Sequence, residues 1–119
     1  MRTPEPLPHE AERLKSLFQQ DLLDTPQEPE FNRIVNLAAR LFGVKIVLIS
    51  LVDDCRQWFK AKVGLAASET PRNISFCGHA IQRADIFEIP DTLADERFWD
   101  NPLVTGKPYI RFYAGHPIR

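Results

Sequence analysis

Long apolar runs are missing from this chain. The longest, IVLISLV at 46–52, is seven residues and includes a serine, far short of the ~20 that a helical membrane span needs. The opening MRTPEPLPHE holds no apolar segment of the kind a secretory signal requires. Charge of one sign is missing too. Fifteen Lys+Arg stand against sixteen Asp+Glu, a net charge of -1, so no basic field exists to hold a phosphate backbone or an anionic membrane surface. Neither nucleic acid nor membrane is therefore an expected partner. Cysteine is scarce: two residues make no disulfide framework, and a reducing cytoplasm fits them best. Proline is abundant, with ten residues gathered in the N-terminal lead and in loops.

A chain of 119 residues is sized for one domain. Residues 1–8 contain Pro4, Pro6 and Pro8 and read as a flexible lead, leaving 9–119 as the domain. Ala11, Leu14, Leu17 and Phe18 fall at helical spacing, continuing to Leu22. DTPQEPE breaks that pattern, with Asp24 or Thr25 as a cap for a second helix. Phe31, Ile34, Val35, Ala38, Leu41 and Phe42 form its apolar stripe, and Gly43 is its left-handed stop. VKIVLISLV then switches to the continuous β-branched pattern of a strand buried on both faces. CRQWFKAKVG alternates more, and the short polar join at 53–56 predicts an antiparallel hairpin. Residues 64–74 read as a loop. Ser75 is an N-cap for a helix from Phe76 to about Arg83. DIFEIP is a short strand, DTLADERFWDNPLVTGKP a long connection with one helical turn at 95–99, and YIRFYAGHPI a last strand. An antiparallel sheet backed by helices, α+β, follows.

Three groups of residues could carry chemistry. Cys77 and His79 sit two apart in NISFCGHAI. On a helix these positions point about 200° apart, so they cannot form a thiolate–imidazole pair. No histidine or cysteine elsewhere has zinc-site spacing relative to them. Cys77 then reads as a small buried hydrophobe, with Gly78 allowing a close approach to the sheet, although a thiol in a helix's first turn is open to oxidation. The long connection crowds Asp91, Asp95, Glu96, Arg97, Asp100 and Asn101 beside Phe98 and Trp99. They form either an acid–base pair or the caps and bridges of an irregular loop, with both aromatics pinning it. Arg111, beside Phe112 and Tyr113, is placed either to clamp an anion or to pair with a loop aspartate.

ISFCGHAI, IPDTLADERFWDNPLVTGKPYIRFYAG and LLDTPQEPEFNRIVNLAARLFGVKIVLISLVDDCRQWFKAKVGL together resemble the GAF sensor domain found at the N-terminus of bacterial histidine kinases and diguanylate cyclases. The resemblance runs from about Glu12 to Ile118. It implies a PAS-like antiparallel sheet with flanking helices, a pocket beside the FCGHAI helix, and a cytoplasmic signal-transduction role by small-molecule binding or by homodimerisation in a parent protein. The parent's output domain is left open between kinase and cyclase. The resemblance also implies that the last strands and the C-terminal helix of the fold lie beyond this chain.

The domain itself is expected to be non-catalytic, with no catalytic or metal-binding residue. The candidate ligand-lining residues are Phe76, Cys77, His79, Asp91, Arg97, Phe98, Phe112 and Tyr113. The chromophore motif of bilin-binding GAF domains and the Asn-Lys-Phe-Asp-Glu signature of cyclic-nucleotide-binding ones are absent, no haem or metal signature is seen, and the ligand stays unknown. Two alternatives remain. One is a redox enzyme or thiol sensor using Cys77, which resembles a cysteine of the free-methionine-sulfoxide reductases, although YIRFYA holds no cysteine where their catalytic one would lie. The other is a ligand-free dimerisation module.

Overall fold

A computed structural model describes residues 1–5, 7–82 and 85–117. Helix α1 spans Glu10–Gln19 and α2 spans Pro29–Phe42. Strands β1 (Val47–Val52) and β2 (Arg56–Val63) make the expected antiparallel hairpin. A third strand, β3 (Glu69–Pro71), pairs with the other side of β2, giving the order β1-β2-β3. A 3-10 turn at Arg72–Ile74 leads into helix α3, Phe76–Ala80. Strand β4 (Phe87–Ile89) pairs antiparallel with β5 (Tyr113–Gly115) as a second, two-stranded sheet. Between them lie a 3-10 turn at Thr92–Ala94 and helix α4, Pro102–Thr105. The architecture is α+β with antiparallel sheets.

Several boundaries differ from the sequence reading, each for a physical reason. β3 was read as loop because ETP has no apolar alternation; its backbone pairs with β2 regardless of side chains. The last strand is three residues rather than ten. Tyr109 is left-handed (φ 59°), which interrupts an extended backbone at the start of the predicted strand. Helix α3 ends at Ala80; Arg83, its expected end, lies outside the described residues, as does Ile118 of the last predicted strand. Glu28, not Asp24 or Thr25, stands at the N-terminus of α2. Gly43 closes α2 as expected, at φ 62°. Gly64, at φ 80°, turns the chain after β2 so close to Lys45 that a Cβ there would lie 1.9 Å from its carbonyl oxygen.

β2 is the central strand, and Gln57 through Ala61 are all buried, because α2 covers one side of the sheet while α3 approaches from near β1. β1 is only half-buried except at Val52, and among the described residues it pairs with β2 alone. The main apolar cluster lies elsewhere, where Phe76, Ala80, Phe87, Ile89, Phe98 and Val104 meet. The stripe expected of α2 is buried only at Val35; Ile34, Leu41 and Phe42 are exposed. Residues 1–5 touch the domain: the Arg2 amide donates to the Arg97 carbonyl at 3.1 Å, and Pro4 is buried.

Two charged groups tie helices to the sheet. Lys60 is 1% exposed. Its ammonium lies 2.7 Å from Glu28 and donates to Thr25 Oγ1 (2.6 Å) and the Pro26 carbonyl (2.8 Å). At the other end, Arg13 chelates Glu10 and donates to the Val52 carbonyl, while Arg72 also bonds Glu10. Breaking a buried ion pair leaves the surviving polar groups uncompensated, at about 3–5 kcal/mol for a full burial. Glu28 is about half-exposed, so Lys60→Ala is expected to cost about 2–3 kcal/mol in urea denaturation, a discount from that range. Lys60→Met, which keeps the apolar stem, should cost less. The hydrogen bonds from Arg13 and Arg72 hold the Glu10 pKa down to about 2, from 4.5. Its folded pKa is below its unfolded one, so its stabilisation is full above about 4.5 and lost as pH falls towards about 2. Glu10→Gln should flatten that part of the stability–pH curve, measured by denaturant midpoints between those two pH values.

Candidate functional site

Ser75 begins the site by capping α3: its hydroxyl accepts from the Gly78 amide at 2.9 Å, as the sequence predicts. This fixes the next residue but one, Cys77, with its sulfur facing the sheet. Three groups converge on that sulfur. Gln57 Nε2, from β2, donates to it at 3.0 Å; Ser50 Oγ, from β1, is at 3.3 Å; Tyr113 OH, from β5, is at 3.2 Å. Gln57 Nε2 also donates to Ser50 Oγ at 3.1 Å, and its Oε1 accepts from the Ser75 hydroxyl. One polar cluster therefore joins both sheets to α3. Burial pushes the Tyr113 phenol pKa far up, with the neighbouring Cys77 adding to the shift. The phenol stays neutral and keeps its hydrogen.

The cluster's polar side faces an apolar one. Phe76 stacks tilted on Phe98 with ring centroids 4.4 Å apart and meets Tyr113 edge-on at 5.2 Å. Phe98 is fully buried. The space between α3 and the long connection, where a pocket was expected, is filled by these rings. His79 points away from Cys77. Its Nε2 lies 3.1 Å from the Arg2 carbonyl oxygen and its ring sits edge-on to Phe98. Burial lowers its pKa; the bond to Arg2 opposes this.

Arg97 stacks 4.9 Å from the Phe87 centroid and forks onto Asp95 at 3.0 and 2.8 Å. Those hydrogen bonds hold the Asp95 pKa down and the Arg97 pKa up. The polar residues of the connection thus serve as bridges and caps: Asp91 accepts from the Leu93 amide and Asn101 from the Leu103 amide. Phe112 and Trp99 are both exposed, whereas Phe98 is fully buried, so of the two loop aromatics Phe98 alone pins the loop. Arg111 donates to the carbonyls of Val104 and Ile110 and pairs with no loop aspartate among the described residues.

Of the eight predicted residues, the structure joins Cys77 to Tyr113 directly and packs Phe76, His79, Phe98 and Arg97 behind them. Asp91 and Phe112 stand apart. Sequence reasoning missed Ser50 and Gln57. The signal for Gln57 was a neutral amide directly before Trp58 and Phe59 in β2, at a position that the hairpin register sets opposite the buried Val52. Two clefts open elsewhere: one of about 530 Å³ between Thr3, Pro4, Glu10, Asp54, Cys55 and Arg72, and an apolar one along α1 at Leu14 and Phe18. Among the described residues no group of three or more His, Cys, Asp or Glu side chains could hold a metal ion, and no helix is long and apolar enough to cross a membrane.

Replacing Gln57 with leucine keeps the volume but strands Ser50, Ser75 and Cys77. Leaving buried polar groups unmade costs about 1–3 kcal/mol, so Gln57→Leu should lower stability by about 2 kcal/mol, near the middle of that range. Tyr113→Phe removes one hydrogen bond and should cost about 1 kcal/mol. Denaturant unfolding of the two variants orders these effects.

Comparison with known proteins identifies the family. Over 118 residues the chain is 43% identical to a cyclic di-GMP phosphodiesterase of Pseudomonas aeruginosa strain PAO1, an alignment covering 99% of this chain and 20% of that protein. The chain thus spans about one fifth of the length of the curated relative it matches. The profile of the GAF domain family matches residues 27–119. The alignment and the antiparallel α+β fold agree with that match, and the chain belongs to the GAF domain family.

Proposed function

We propose that this GAF domain is a non-catalytic sensory module of a longer cyclic di-GMP signalling protein. It binds a small molecule, or passes a signal by homodimerisation, and biases an output domain of the same polypeptide. The observation that carries the reading is the polar cluster around Cys77. It sits where β1, β2, α3 and β5 meet, so a ligand contacting it would touch both sheets at once. A bound molecule changes an equilibrium only by differing in affinity for its two states, and a site shared by two sheets offers such a difference. Cys77 and Tyr113, with Ser50 and Gln57, form the centre of the proposed site. Phe76, His79, Arg97 and Phe98 set its shape from behind, and Asp91 and Phe112 lie at its margin. The activity of the Pseudomonas aeruginosa relative extends the reading to the parent protein: its output is turnover of cyclic di-GMP.

The test is native mass spectrometry of the longer protein that contains this domain. A retained small molecule that is lost in the Gln57→Leu variant, or a dimer at micromolar concentration, is the expected result. A monomer carrying nothing would sink the reading.

A second reading rests on the same cluster. Three hydrogen-bonding groups directed at one sulfur also suit a thiol sensor or a redox enzyme using Cys77. Free methionine sulfoxide, offered with a thioredoxin system, separates the two. No turnover is expected; turnover that disappears in Cys77→Ser would overturn the non-catalytic assignment.

A further inference from the structure

Helix α3 is five residues long, too short to persist on its own in water. Its position is therefore set by what touches it. On one side Phe76 and Ala80 enter the apolar cluster and Cys77 enters the polar one. On the other side lies the N-terminal segment. His79 Nε2 meets the Arg2 carbonyl oxygen at 3.1 Å, and Gln82 Nε2, just past the helix, donates to the Glu5 carbonyl at 2.7 Å. The Arg2 amide donates to the Arg97 carbonyl at 3.1 Å. Pro4 is buried over Gly78, where a Cβ would lie 2.8 Å from Pro4 Cγ. Glycine at 78 thus makes room for the proline. Residues 2–5 are held by those three backbone hydrogen bonds, by the buried Pro4 ring and by an exposed Arg2–Glu96 ion pair at 3.7 Å, in a segment with no regular secondary structure.

We propose that residues 2–5 are a strap that clamps α3 against the sheets, and that releasing the strap loosens α3 and exposes Cys77. The inference deepens the assignment of the Cys77 cluster as the functional site and rests on it. The strap gives that site a built-in regulatory contact. Few buried side chains and a handful of hydrogen bonds hold it, the profile of a segment that opens locally at low cost. Whatever pulls on the chain before α1, or competes for the groove over Gly78, would act on the cluster through α3.

The test needs no ligand, so it stands apart from the search for one. In a Cys55→Ser background of the full chain, two rates are measured: alkylation of Cys77 by iodoacetamide, and hydrogen exchange of the Arg2 amide by NMR. Gln82→Ala removes an exposed donor. Gly78→Ala drives a methyl into Pro4. Each is expected to raise both rates by about threefold to tenfold, the factor that one lost hydrogen bond makes in an opening equilibrium. In a Pro4→Gly background, where the strap is already weakened and the methyl has room, Gly78→Ala should add little further. Faster Arg2 exchange with unchanged Cys77 alkylation would overturn the linkage. Unchanged rates of both kinds in Gln82→Ala and Pro4→Gly would overturn the strap itself, and neither of these variants alters α3.

Discussion

The carboxamide of Gln57 holds the two halves of this domain in one arrangement. Its nitrogen serves Ser50 and Cys77, its oxygen serves Ser75, and through Cys77 the network reaches Tyr113 on the second sheet. The elements it joins cannot stand alone: α3 is five residues, and β4 and β5 are three each. Short elements of this kind depend on tertiary contacts for their existence. A buried amide must find partners for its donors and its acceptor or lose free energy. Here every partner lies on a different element, so satisfying the amide also fixes the geometry.

The apolar cluster beside this network supplies cohesion where the amide supplies direction. Phe76 takes part in both, since it shares α3 with Cys77 and stacks on Phe98. Burial of apolar surface is non-directional, and a cluster of phenyl rings alone would tolerate several positions of a short helix. The Ser75 cap, the Gln57 amide and the Tyr113 hydroxyl reduce those to one. Because the same groups surround the Cys77 sulfur, what positions the helix is also what a ligand or an oxidant would meet.

Lys60 and Glu10 perform a similar task for the other helices. Lys60 reaches from the middle of β2 to the turn before α2, and Glu10 ties α1 to the turns around β2 through Arg13 and Arg72. The exposed faces of α2 at Ile34, Leu37 and Leu41 show that apolar packing alone does not fix these helices on this sheet. Charged groups with several hydrogen-bond partners add the orientation that the partial burial leaves open.

Much of this was legible in the sequence because it is local. The Gly43 stop, the Ser75 cap, the hairpin at 53–56 and the incompatibility of Cys77 with His79 depend on residues a few positions apart, and helical or strand geometry settles them directly. The family resemblance also lay in contiguous motifs. What the sequence could not determine were pairings across the fold. ETP became strand β3 because β2 had a free edge. YIRFYAGHPI kept only three strand residues among those described because the left-handed Tyr109 interrupts the extended backbone and β5 pairs only opposite β4. The long connection folded around Phe98 rather than opening a pocket. Ser50 and Gln57 joined Cys77 through contacts 27 and 20 residues apart. Hydrogen-bond partners at such distances are chosen by the packing of whole elements, and no local pattern in the chain encodes them.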